Sequence, residues 1–222
     1  MKRADAIARL FEEARAATLA EDLKHARSAY AKIAKLDPTN IKGWINYGAV
    51  AAELGATKEA LRAFKRALRI DPGSRDALSN LSVLAREAGD LDESQALCRR
   101  VIELDPEFVF GHYNLGHTLF LAADFGGAVT AYAEGLKRDS RKTPNQRARY
   151  AWALMANGDE EAAERELSDT LTHLPVEETD AFLAEAGEVL AALAVAIPVR
   201  RAAVHRLQAV IQTWARERSF AR

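Results

Sequence analysis

Between Ile41 and Ser74 the chain carries two helical patterns in succession. Trp44, Tyr47, Gly48 and Ala51 stand at spacings of three, four and seven, which is one face of a helix. Gly55 ends that helix, because glycine takes a positive φ at no steric cost. Ala60, Phe64, Ala67 and Leu68 then mark a second apolar stripe. Asp71-Pro72 stops it, since the proline ring cannot continue a helix. The plan returns with Leu78, Leu81, Ser82, Ala85, Gly89, Cys98, Val101 and Pro106. It returns again with His112, Leu115, Gly116, Leu119, Ala128, Tyr132 and Leu136, where Ser140 stands in the proline place. The closing prolines Pro38, Pro72 and Pro106 are 34 residues apart. That period predicts stacked helix–turn–helix repeats, an all-α solenoid in which each unit buries its apolar face against its neighbours.

Five units follow, at about 7–40, 41–74, 75–108, 109–142 and 144–177, so the repeats fill residues 1–177. The first is recognisable mainly by Ala26, Tyr30, Ile33 and Pro38, and the fifth by Tyr150, Ala151, Leu154, Gly158, Ala163, Leu167 and Pro175. Small residues recur where the two helices of a unit must approach: Ala14, Gly48, Ser82, Gly116 and Ala151. A larger side chain there would cost about 1–3 kcal/mol. Residues 178–222 leave the repeat and predict a two-helix C-terminal cap. Thr179 caps a first helix from Asp180 to about Ala196. Pro198 restarts a second, with Val204, Leu207, Val210, Ile211 and Trp214 on one face.

Composition narrows the picture. The chain has 222 residues, 49% of them apolar, enough for a continuous core. A net charge of −1 gives no global reason to expect nucleic acid. Residues 159–188 are strongly acidic, while Arg200, Arg201, Arg206, Arg216, Arg218 and Arg222 make the last helix basic. These charges can meet across a folded-back cap. The basic helix can also serve an acidic partner, nucleic acid or lipid headgroups. The single cysteine, Cys98, excludes an intrachain disulfide framework and fits a reducing compartment. The N-terminus lacks the apolar core of a secretory signal, and the run Val189–Val199 is too short to span a bilayer. A cytoplasmic protein is expected.

The repeat pattern resembles the tetratricopeptide repeat family over about residues 7–177. Trp44, Tyr47, Gly48, Ala60, Phe64, Ala67 and Pro72 stand at the family's signature places. The resemblance implies a right-handed superhelix whose first helices line a concave groove, with positions two, five, six, nine, twelve and thirteen of each unit facing it. It also implies an adaptor or scaffold that binds a protein or peptide segment. One groove rung repeats as Asn46, Asn80 and Asn114, with Glu12 and Arg149 at the ends. An asparagine amide offers two donors and an acceptor, so it can pair with both groups of an extended main chain. These three positions resemble the asparagine ladder of the O-linked N-acetylglucosamine transferase superhelix. The same residues also suit a solvated or helix-stabilising role.

Phe110, Tyr113, His117, Phe120, Leu121, Trp152 and Met155 fall on the groove side of units four and five. Exposed, they form a hydrophobic anchor for a partner; alternatively, superhelical closure or the C-terminal helices cover them. Arg149 can take an acidic group of a partner. Repeats that clamp the carboxylate ends of heat-shock chaperones need cations where this chain has Phe11, Ile45, Asp76 and Phe110.

No motif for chemistry emerges. His25, His112, His117, His173 and His205 form no zinc-type spacing. His112 reads as a packed residue, His117 as a groove contact and Cys98 as core. The chain is expected to be no enzyme, with no cofactor and no metal. Two alternatives are a substrate-selecting module of a larger enzyme such as a glycosyltransferase, and a self-associating scaffold or homo-oligomer.

Overall fold

The computed structural model describes residues 3–141 and 143–219. Lys142, the last residue of the fourth predicted repeat, and Arg222 of the basic helix lie outside them. Contacts divide the chain between Pro106 and Glu107 into two compact units. The first holds α1 (Arg3–Leu19), α2 (Leu23–Leu36), α3 (Ile41–Glu53), α4 (Thr57–Ile70), α5 (Arg75–Glu87) and α6 (Leu91–Leu104). The second holds α7 (Val109–Leu121), α8 (Phe125–Arg138), α9 (Pro144–Asn157), α10 (Glu160–His173), α11 (Thr179–Ala196) and α12 (Arg201–Ser219). Short 3₁₀ turns, Val176–Glu178 and Pro198–Arg200, precede the last two helices. The described residues contain no strand.

Each odd helix up to α9 pairs with the next helix as a hairpin, and α3, α5 and α9 also pack on the helix before them. The pairing rests on complementary sizes. A Cβ added at Gly48 would sit 2.6 Å from the ring of Phe64, and one at Gly116 would sit 2.9 Å from that of Tyr132. Phe64 and Tyr132 are each 1% exposed, so neither ring has room to move. Where the facing residue is Cys98, the small position can be Ser82, whose buried hydroxyl donates to Ser79 O at 2.7 Å. Ser94 Oγ in turn donates to Ser82 O at 2.8 Å, so these core hydroxyls are satisfied. Cys98 and His112 are buried.

One backbone position recurs at the hairpin turns. Glu21, Gly55, Gly89, Ala123 and Gly158 all take positive φ, between 57° and 108°. Three units meet this with glycine. The other two hold a side chain in a left-handed conformation, which costs about 1–2 kcal/mol.

The C-terminal helices depart from the stacking pattern. α11 lies against α9, and α12 lies against α10 and α11. Phe182, Ala186, Leu190 and Leu193 of α11 and Ala203, Val204, Leu207 and Ile211 of α12 join one core with α9 and α10. Charge follows apolar burial: Arg206 bonds Glu160 at 2.6 Å and Glu164 at 3.2 Å. Arg200 and Arg218 donate to the carbonyls of Asn157 and Leu174. Helix α11 starts one residue earlier than the sequence predicts. Thr179 lies inside it, and its hydroxyl donates back to Pro175 O at 3.3 Å instead of capping.

Candidate functional site

In the first unit, α3 and α5 lie side by side and carry Asn46 and Asn80, the first two asparagines of the 34-residue period. Asn46 and Asn80 are both half-buried. Asn80 Nδ2 donates to Asp76 O one turn back at 2.7 Å, which leaves a second N–H and the carbonyl oxygen to offer. Ile45, Ala49, Ala52 and Val83 on the same helices are half-buried as well, and Ile45 and Ala52 pack against the core around Phe64.

In the second unit, α7 carries Phe110, Asn114, His117 and Leu121 at spacings of four, three and four, one stripe of the helix. Phe110 is 48% exposed and Leu121 is 51% exposed. Asn114 and His117 between them are half-buried. Phe110 leans on Phe108 with ring centroids 5.7 Å apart, so the exposed ring is held in place. A helix face with two large apolar groups in water is a surface suited to a partner.

Three residues expected on the groove side are core instead. Tyr113 is 4% exposed. Its ring lies over Gly135 of α8, where a Cβ would come within 2.5 Å of it, so the missing side chain creates the space it fills. Its hydroxyl donates to buried Asp139 at 3.1 Å, and the same carboxylate accepts the Arg141 N–H at 3.0 Å. Burial, followed by the Asp139 charge, pushes the phenol well above its ordinary range. Trp152 and Met155 on α9 are buried because α11 covers them. Phe182 of α11 faces the Trp152 ring at 6.5 Å between centroids. Phe120 is half-buried, edge-on to Phe125 at 5.6 Å and against the same core. Arg149 does pair with a carboxylate, but one from its own chain: Nε donates to Glu185 of α11 at 3.0 Å.

Position within the repeat puts Arg149, Trp152 and Met155 on the side of α9 that meets α11. It misses Phe182 and Glu185, the α11 residues that they meet. Their signal was the acidic and apolar character of residues 178–196, which also fits an ordinary cap. Among the described residues no group of His, Cys, Asp and Glu could hold a metal ion. No single described helix is long and apolar enough to cross a membrane. α11 and α12 together have the composition, but the chain bends by 118° between them.

A family model of the tetratricopeptide repeat matches residues 51–113. No curated protein matches the sequence. Among solved structures, PilF of Pseudomonas aeruginosa superposes with a TM-score of 0.71 at 16% identity, covering 95% of this chain and 92% of its own. A mutant O-GlcNAc transferase of Thermobaculum terrenum gives 0.58 at 21% identity over 62% of this chain and 27% of its own. YrrB, described as a tetratricopeptide protein with an unusual peptide-binding site, gives 0.54 at 18% identity over 72% and 81%. At such identities these likenesses speak for the fold alone. Residues 51–113 are thus a tetratricopeptide repeat by family model, and the 34-residue period with the hairpins it folds into carries the same plan to the helices on either side.

Proposed function

We propose that the chain is a protein–protein interaction adaptor that holds an extended segment of a partner against the groove-side faces of its first helices. The α7 stripe carries this reading: Phe110 and Leu121, each about half exposed, flank Asn114 and His117 on one helical face. In this role Phe110 and Leu121 take apolar side chains of the partner. Asn114 bonds its main chain, and Asn46 and Asn80 offer the same kind of contact within the first unit. Each such bond contributes about 0.5–1.5 kcal/mol net, so the amides align a segment while the apolar contacts select it. Tyr113, Trp152, Met155 and Arg149 have no place in this site, because the protein's own residues already engage them.

The test is selection from a random peptide display library, followed by affinity measurement of the recovered peptides. Phe110→Ala combined with Leu121→Ala should weaken the selected peptides about tenfold or more, and Asn114→Ala by a smaller factor. Peptides that bind all three proteins equally would sink the proposal. A self-associating scaffold would instead show a changed sedimentation coefficient in the double variant, with no peptide selected.

A further inference from the structure

The outer face of α4 carries a charge that its packing does not require. The helix buries Ala60, Ala63, Phe64 and Ala67. On the other side Lys58, Arg62, Lys65 and Arg69 follow at spacings of four, three and four, with Arg66 beside them. Four of these five cations are exposed and Arg66 is half-buried. The helix has one acid, Glu59, and it is already engaged: Tyr47 donates to it at 3.0 Å and Arg27 lies 3.6 Å away. Arg62 and Arg66 donate to the backbone carbonyls of Lys58 and Pro38, at 3.2 and 3.4 Å. Among the described residues none of Arg62, Lys65, Arg66 and Arg69 is paired with a carboxylate.

These cations border a cleft of about 550 Å³, whose opposite wall is Trp44 and Tyr47 of α3. That wall is rigid. The Trp44 indole N–H donates to Pro38 O at 3.0 Å, and the Tyr47 ring meets Trp44 edge-on at 6.4 Å. The repeat geometry does not demand such a cleft. The places of Arg62, Lys65, Arg66 and Arg69 are held by Ala96, Arg99, Arg100 and Glu103 in α6, and by Thr130, Ala133, Glu134 and Lys137 in α8. In α10 they are Arg165, Ser168, Asp169 and Thr172, and in α2 they are Ser28, Ala31, Lys32 and Lys35. Only α4 sets four cations there, and the place of Trp44 on the adjoining helix is held by Leu78, His112 and Arg147 in the later repeats.

We propose that this cleft is a second protein-binding site, beyond the groove-side faces, whose occupant is a short acidic segment with an aromatic or aliphatic residue beside its carboxylates. Guanidinium forks pair with carboxylates in two parallel bonds, which suits Arg62, Arg66 and Arg69. Trp44 and Tyr47 offer a flat apolar wall to the neighbouring side chain. The size fits as well. Arg62 to Arg69, the cations that line the cleft, span about 11 Å of helix at ~1.5 Å per residue, a length that a pentapeptide extended at ~3.3 Å per residue covers in full. A nucleic acid would call on a longer run of positive surface, and the protein's net charge of −1 does not supply one.

The probe is a fluorescein-labelled pentapeptide of four glutamates around a central phenylalanine, titrated with the full chain and followed by anisotropy. Saturable binding that weakens with added salt is expected. Arg62→Glu with Arg66→Glu should weaken it about tenfold or more, and so should Lys65→Glu with Arg69→Glu. Arg99→Glu with Arg100→Glu on α6 should leave it unchanged, and circular dichroism checks that every variant keeps its helicity. Absence of saturable binding overturns the proposal, as does equal binding by the α4 and α6 variants. A single-stranded oligonucleotide of equal charge that binds the wild type more tightly, and loses that binding in the α4 variants, overturns it in favour of nucleic acid. None of these outcomes depends on the groove-side residues, so this site and the α7 stripe stand or fall separately.

Discussion

Helices α7 and α9 occupy the same place in successive repeats, yet their groove-side residues meet opposite fates. On α7, Phe110 and Leu121 remain about half exposed at the two ends of the stripe. On α9, Trp152 and Met155 are 2% and 0% exposed, because Phe182 and its neighbours on α11 lie over them. Arg149 is held in the same way, by Glu185. In effect α11 is to α9 what a partner segment would be to α7: an apolar strip with a carboxylate placed for a cation. A repeat surface is therefore not intrinsically a binding site or a core. It becomes one or the other according to what the rest of the chain lays on it.

Truncating one aromatic on each helix should separate α9 from α7 most clearly. Trp152→Ala should cost about 3–5 kcal/mol, since it removes a buried ring and leaves a cavity. Phe110→Ala should change stability by about 0.5 kcal/mol or less, because its ring is half in water. Urea denaturation reads both, and equal costs would mean that α11 does not cover α9. Next in size is the inward side of α7. Gly116→Ala should cost about 1–3 kcal/mol by forcing a methyl group into the Tyr132 ring.

Tyr113→Phe removes the donor to buried Asp139 and should cost about 1–3 kcal/mol at neutral pH. The variant also has a pH signature. The folded phenol titrates above its ordinary value of 10.0, so its contribution is complete below that pH and is lost as pH rises above it. Above pH 10 the wild type should therefore lose stability more steeply than Tyr113→Phe, which can be read from denaturation midpoints along an alkaline series. An unchanged slope would mean that the phenol is not held by burial and Asp139.

One substitution should give a gain. Ala123→Gly relieves a φ of 60° at the turn after α7 and should stabilise the protein by about 1 kcal/mol. No gain would show that the turn is not strained.

Much of this was legible in the chain itself. Prolines and turn glycines bound the hairpins, and the small residues Gly48 and Gly116 lie against the predicted Phe64 and Tyr132. Position within the repeat put Phe110, Asn114, His117 and Leu121 on one stripe. The same rule failed for Tyr113, because its burial depends on Gly135, 22 residues away on the facing helix. It failed for Trp152 and Met155 because nothing in their own repeat says that α11 folds back on α9. The left-handed turn residues Glu21 and Ala123 were also hidden, since neither residue type favours positive φ.

The period, the helices and the apolar stripe each one turns inward can be read along the chain. Those follow from local backbone preference and from spacing along a helix, which act over a few residues. Which faces of the first helices stay exposed, and that the α4 cations border an aromatic wall, follows from packing between distant segments. Exposure is set by whatever covers a side chain, and the cover can lie far along the chain: Glu185 reaches Arg149 across 36 residues.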